Sequence, residues 1–198
     1  YKAMILSLIC FGVTPSTDGL FTEGIAKVTK EDFDWANRLG QTIKLVAIID
    51  NEQDGFNARV FPVLINKKHP LASIRGALNA VVVEGKNIDQ LVFSGPGAGA
   101  NPTASAIIGD VLSACHQISS GQSNWYPLRK PTTAIKSFEQ VTSSMFIRLS
   151  VSDKPGVLAS IAGTLGENNV SIQSVIQEGR GDEAELVPVS YTHLRAHE

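Results

Sequence analysis

The chain has 198 residues, 43% of them hydrophobic and 18% charged, a balance that suits one or two folded domains with cores of their own. A formal net charge of -2 and the lack of any lysine and arginine cluster argue against a nucleic-acid or membrane-surface partner. Its two cysteines, Cys10 and Cys115, match neither a metal-ligand spacing nor a disulfide framework, so a reducing cytoplasm is the expected compartment.

In chain order, Lys2 precedes the apolar run 3–13, as in a secretory signal, but no convincing small-x-small cleavage site follows and the run is too short to span a bilayer. Residues 2–12 are apolar nearly all round, which predicts a buried helix stopped by Gly12. Because Tyr1 falls in mid-pattern, the expectation is a fragment whose upstream part is missing. Thr29 followed by Asp32 is a capping box in acidic form; Phe33, Trp35, Ala36 and Leu39 supply the apolar face of the next helix, and Gly40 ends it. Residues 43–50 and 56–65 are expected strands with a hairpin-like connection at 51–55. His69-Pro70 opens a short helical piece and is expected to serve a turn or a core hydrogen bond rather than catalysis. Residues 79–84 and 90–93 complete the set of strands, the second short and buried. Links this short make antiparallel neighbours.

Next comes S-G-P-G-A-G-A-N-P-T-A-S-A at 94–106, leading into an apolar helix at 103–117. A strand, a glycine-rich turn and a helix N-terminus bring main-chain N–H groups together on an anion. Gly95, Gly97 and Ala100 fit G-x-G-x-x-G/A, the dinucleotide fingerprint, which also needs a following strand and an acidic residue about 20 positions on. Cys115 and then a polar linker stand there instead. Three readings stand: an independent dinucleotide site, which these departures disfavour; a glycine loop that touches a ligand held mostly by something else; or a tight turn with close strand–helix packing.

Residues 118–136 are polar and carry prolines, as a linker does. A second core then begins: a strand at 145–151, the turn Asp153-Lys154-Pro155-Gly156, a helix at 157–166, and strands at 170–177 and 183–189. This is a ferredoxin-like β-α-β-β unit. Residues 190–198 break the alternation and are doubtful as native sequence. Within them His193 and His197 are four apart without a third ligand, so no metal site is expected. The expected class is α+β: a mainly antiparallel sheet with helices, then a small βαββ module.

E-G-I-A-K-V-T-K-E-D-F-D-W-A-N-R-L-G-Q-T-I-K-L, H-P-L-A-S-I-R-G-A-L-N-A-V-V-V-E-G and S-G-P-G-A-G-A-N-P-T-A-S-A-I-I-G-D follow one another in the order and spacing of homoserine dehydrogenases, which residues 1–116 resemble. Residues 146–189, with D-K-P-G-V-L-A and N-N-V-S-I, are similar to the ACT domain, a regulatory module found at the C-terminus of many bacterial members. The resemblance implies a division into a catalytic and substrate domain at 1–117, a linker at 118–144, a truncated ACT-like domain at 145–189 and the tail 190–198. Within the first, 95–117 would return to a nucleotide-binding domain that is absent from this sequence.

The activity implied is the interconversion of L-aspartate 4-semialdehyde and L-homoserine with NADP or NAD, on the route to threonine, isoleucine and methionine. In the family's D-x-x-x-K motif the lysine falls on Lys2, which the resemblance makes catalytic. The motif's aspartate and the substrate-binding glutamate would lie upstream. Gly99 matches the family's cofactor-contacting glycine, and Gly95 and Gly97 share its turn. For the ACT-like unit the resemblance implies an amino-acid effector, threonine first, bound at Gly156 and Asn169 when two units pair, and hence a homo-oligomer. The competing reading is an amino-acid-binding or oligomerising module without catalytic activity of its own.

Overall fold

The computed structural model describes residues 1–17, 19–52, 55–121, 136–179, 184–190 and 194–195. Residues 53–54 of the expected hairpin, most of the expected linker, and both His193 and His197 lie outside the described residues. The elements are α1 (Lys2–Phe11), β1 (Phe21–Thr22), α2 (Lys30–Arg38), β2 (Gln41–Glu52), β3 (Gly55–Asn66), β4 (Leu78–Gly85), β5 (Asp89–Pro96), α3 (Ala100–Ser120), β6 (Thr142–Ser143), β7 (Leu149–Val151), α4 (Val157–Glu167), β8 (Ile172–Glu178), β9 (Ala184–Ser190) and β10 (Leu194–Arg195). Short 3-10 turns cover Ile25–Lys27, Pro70–Ser73 and Phe138–Gln140. The class is α+β, with sheets that pair mainly antiparallel; the two-residue β1 runs parallel to β3.

The chain divides into two compact units, one of Tyr1–Thr22, Ala47–Val60 and Pro131–Glu198, the other of Glu23–Val46 and Phe61–Lys130. In the first, Val13, Phe56 and Ala58 form a buried cluster with Leu20 and Ile49 packed against it. Phe11 at the end of α1 meets Phe56 edge-on, with ring centroids 6.0 Å apart. Gly12 takes the left-handed conformation and its N–H donates to the Leu8 carbonyl, closing α1 where the sequence predicts. The edge of β3 also receives the chain after residue 135: the Lys136 N–H donates to the Phe56 carbonyl at 2.8 Å, and the Asn57 carboxamide donates to the Lys136 carbonyl at 3.2 Å. The ACT-like sheet has the order β7-β9-β8, its central strand carrying the buried Ala184, Leu186 and Val187.

In the second unit the capping box is present: the Asp32 N–H donates to the Thr29 hydroxyl and the Thr29 N–H to the Asp32 carboxylate. It starts α2, whose Trp35 and Ala36 are buried. Strands β4 and β5 form an eight-pair antiparallel ladder from Leu78↔Pro96 to Gly85↔Asp89.

Several expectations give way. Helix α1 is not buried all round: Ala3 and Ser7, one turn apart, are buried, whereas Ile5 and Ile9 stand exposed. The strand expected at 90–93 is neither short nor buried, since β5 runs to Pro96 and leaves Leu91, Val92 and Phe93 open to solvent. Helix α3 begins at Ala100 and reaches Ser120, into the expected linker, with no buried residue. Apolar composition shows that a segment wants cover; it does not say which chain provides it. Ser190, assigned above to the tail, ends β9 and is buried, its N–H donating to the Met145 carbonyl.

Candidate functional site

Lys2 occupies the first helical position of α1 and is exposed. A cation there opposes the positive end of the helix dipole, and the first turn holds no acidic residue to offset it. Helix stability therefore does not account for a lysine at this position. Among the described residues no hydrogen bond or ion pair takes up its ammonium. The helix behind it is anchored: the Ser7 hydroxyl, fully buried, donates to the Ala3 carbonyl at 2.8 Å, and Phe11 rests on Phe56. The result is a free ammonium at the tip of a fixed rod.

In the other unit, β5 delivers the chain into the glycine turn. The Gly97 N–H donates to the Ala77 carbonyl at 2.9 Å, extending the β4–β5 ladder by one step, and Gly99 then serves as the N-cap of α3. Gly99 has φ 128 and ψ 152, a region essentially closed to residues with a Cβ. With no side-chain cap and with Pro102 lacking an N–H, the N–H groups of Ala100 and Asn101 are unused by the helix. A Cβ built on Gly95 would meet nothing within 4 Å, so its backbone is open to approach. Bare glycine backbone, unused helix donors and the dipole end fit a phosphate-bearing or carboxamide-bearing group such as a dinucleotide.

The third location is a cavity of about 460 Å³ in the ACT-like unit. Val151, the Asp153-Lys154-Pro155-Gly156 turn, the first residues of α4, Gln177 of β8 and Leu186 of β9 line it. Gly156, at φ 94, is the N-cap of α4 and has no side-chain cap; the Val157 N–H donates to the Lys154 carbonyl at 3.3 Å, which leaves the N–H groups of Leu158 and Ala159 unused by the helix. The Gln177 carboxamide donates to the Asp153 carboxylate at 3.0 Å, setting a carboxylate and an amide at the rim. This volume is within the usual range for small-molecule sites. Asn169, with φ 57, lies beyond the other end of α4 and does not line the cavity.

Lys2 thus belongs to one unit with Gly156 and Asn169, and Gly95, Gly97 and Gly99 to the other. His69 acts as a cap, its Nδ1 accepting from the Leu71 N–H at 3.2 Å. Asp153 and Gln177 carry no signal in the sequence as a pair, since 24 residues separate them and only the sheet brings them together. Among the described residues no group of three metal-ligating side chains occurs, and no helix is long and apolar enough to cross a membrane.

Residues 1–112 match the homoserine dehydrogenase family and residues 145–197 match the ACT domain. A homoserine dehydrogenase of Mycobacterium tuberculosis is 39% identical over 187 residues, which cover 92% of this chain and 42% of the relative. That of Corynebacterium glutamicum is 34% identical over 200 residues, covering 98% and 45%. Among solved structures, the homoserine dehydrogenase from Thiobacillus denitrificans superposes with a TM-score of 0.90 at 32% identity, over 98% of this chain and 46% of that one. The S. aureus homoserine dehydrogenase gives 0.72 at 26% identity, over 99% and 47%. The chain spans a little under half the length of these relatives. With more than half of its own residues inside the family match, and with that match running through both Lys2 and the glycine turn, the chain belongs to the homoserine dehydrogenase family.

Proposed function

We propose that the complete enzyme containing this chain interconverts L-aspartate 4-semialdehyde and L-homoserine with NAD(P)H in the cytoplasm, on the route to threonine, isoleucine and methionine. In this reading the present residues supply the proton-transfer group and the turn that closes over the dinucleotide. The observation that carries it is the glycine turn, which holds α3's unused donors beside open backbone at Gly95. The exposed Ile107, Ile108, Val111 and Leu112 of α3 support a further domain packed on that helix, one that would hold the rest of the dinucleotide. Held at the Gly95–Gly99 turn, a reduced dinucleotide would supply hydride to the aldehyde carbon. The Lys2 ammonium donates a proton to the oxygen, and in the reverse direction its amine takes that proton back. Purified complete enzyme given homoserine and oxidised dinucleotide is expected to produce reduced dinucleotide in proportion to turnover. No homoserine-dependent reduction with either NAD or NADP would end this reading.

The cavity at Gly156 supports an amino-acid effector, with threonine, the pathway's end product, as the candidate. Pairing of two ACT-like units would bring the Gly156 turn of one against Asn169 of the other, which accords with a homo-oligomer. Helix donors at Gly156 suit the ligand's carboxylate, and the Asp153 carboxylate suits its ammonium. Gly156→Asp sets a carboxylate where the ligand's own is expected. Nothing lies within 4 Å of a Cβ there, although φ 94 strains any side chain. Gly156→Ala shares that strain without the charge and is the control. The aspartate variant is expected to lose threonine inhibition at concentrations that silence the parent, the alanine variant to weaken it less. Full sensitivity in Gly156→Asp would remove the effector from this turn.

A further inference from the structure

The glycine turn has main-chain bonds at both ends and the Asn79 side chain lying against it. Gly97 N–H bonds the Ala77 carbonyl at one end, and the Thr103 N–H bonds the Gly99 carbonyl at 3.1 Å at the other. Asn79 stands opposite Gly95 in the β4–β5 register. Residues directly opposite share a face, and so do residues two apart, so Asn79, Gly95 and Gly97 lie on one face of the hairpin end. Two of those three positions have no side chain. The Asn79 carboxamide fills the gap: a Cβ built on Gly97 would coincide with its nitrogen and stand 3.0 Å from its oxygen. A side chain at Gly97 would therefore have to displace the Asn79 amide. The Asn79 carboxamide makes no hydrogen bond to another described residue and the residue is solvent-exposed, so folding of the described units does not explain a carboxamide there.

We infer that Asn79 is a positioning residue for the dinucleotide: its carboxamide, seated against Gly97, holds the turn in the one arrangement that presents Gly99 and the α3 donors to the ligand. This rests on the proposal that the turn meets a dinucleotide. A turn released from that contact samples other arrangements, and apparent affinity falls with the fraction of competent ones. Gly97→Ala expels the carboxamide and Asn79→Ala removes it, so both destroy the same fit. Coupled residues of this kind are non-additive.

The test is a double-variant cycle in the complete enzyme, read as the Kd for NAD(P)H by titration calorimetry, with kcat, the melting temperature and the threonine response recorded alongside. Asn79→Ala and Gly97→Ala are each expected to raise Kd by about tenfold or more, with kcat falling by less than Kd rises. The double variant is expected to bind no more weakly than the worse single one. A double variant whose Kd rises by the product of the two single effects, or an Asn79→Ala enzyme that binds within about twofold of wild type, would overturn the inference. Should Asn79→Ala fail to fold, Asn79→Ser supplies the same comparison, since it also withdraws the carboxamide. A wild-type enzyme that binds no dinucleotide would overturn the underlying reading and this inference together; wild-type binding with additive variants overturns this inference alone.

Discussion

Lys2→Ala in the complete enzyme is expected to lower kcat by at least about 10²-fold, the usual contribution of a positioned general acid, while leaving the melting temperature unchanged. Both parts follow from the position of the residue. Its ammonium has no partner among the described residues, so truncation breaks no ion pair and opens no cavity. Alanine is the better helix former, and it relieves the unfavourable charge at the positive end of α1. The loss should appear in kcat and kcat/KM together, because proton donation to a developing alkoxide is worth most in the transition state. Steady-state kinetics on aspartate semialdehyde, paired with a thermal melt, give both readouts. A fall of less than about tenfold would count against the general-acid role. An enzyme that lost activity only because it melted at lower temperature would show Lys2 to be structural.

Gly99→Val is expected to damage dinucleotide binding more than stability. Valine cannot adopt φ 128 with ψ 152 without about 1–3 kcal/mol of strain, and its Cβ would press on the Pro102 ring at 3.3 Å. The turn can shed that strain by moving, since α3 buries none of its side chains against the described residues, but it then no longer presents its backbone as the ligand requires. Dinucleotide KM should rise by about tenfold or more, with a drop of only a few degrees in melting temperature. Gly95→Ala is the matched control: its Cβ meets nothing, so any loss of affinity there reports the ligand's own approach. An unchanged KM with a sharply lowered melting temperature in Gly99→Val would mark the turn as structural alone.

How far the sequence could be read depended on how local each signal was. The capping box at Thr29 and Asp32 was fully legible, because its partners lie three residues apart and the hydrogen bonds need nothing else. Gly12 was legible for the same reason. The sequence signal for β5 stops at 93, because glycine and proline at 95 and 96 argue against a strand interior; at the end of a two-stranded ladder they are tolerated and still pair with Asn79 and Leu78. The burial of α1 and β5 was misjudged because hydrophobicity reports a demand for cover, not its source. In the glycine turn, the spacing of the glycines was visible and the contact of Asn79 with Gly97 was not, since Asn79 reaches it only across the hairpin register. The Asp153–Gln177 pair was likewise hidden by the sheet that creates it.

The most direct test of the central claim, that the Lys2 ammonium is the proton donor, is chemical rescue of Lys2→Ala with small primary amines. Truncation leaves the exposed tip of α1 without its side chain, and a diffusing alkylammonium can occupy the space and carry the same proton. Turnover of the variant should rise with methylamine or ethylamine concentration and saturate, while wild-type turnover stays flat and a quaternary ammonium, which has no proton to give, restores nothing. A variant that no amine restores, or that the quaternary ion restores equally well, would contradict the assignment of Lys2 as the group that moves the proton.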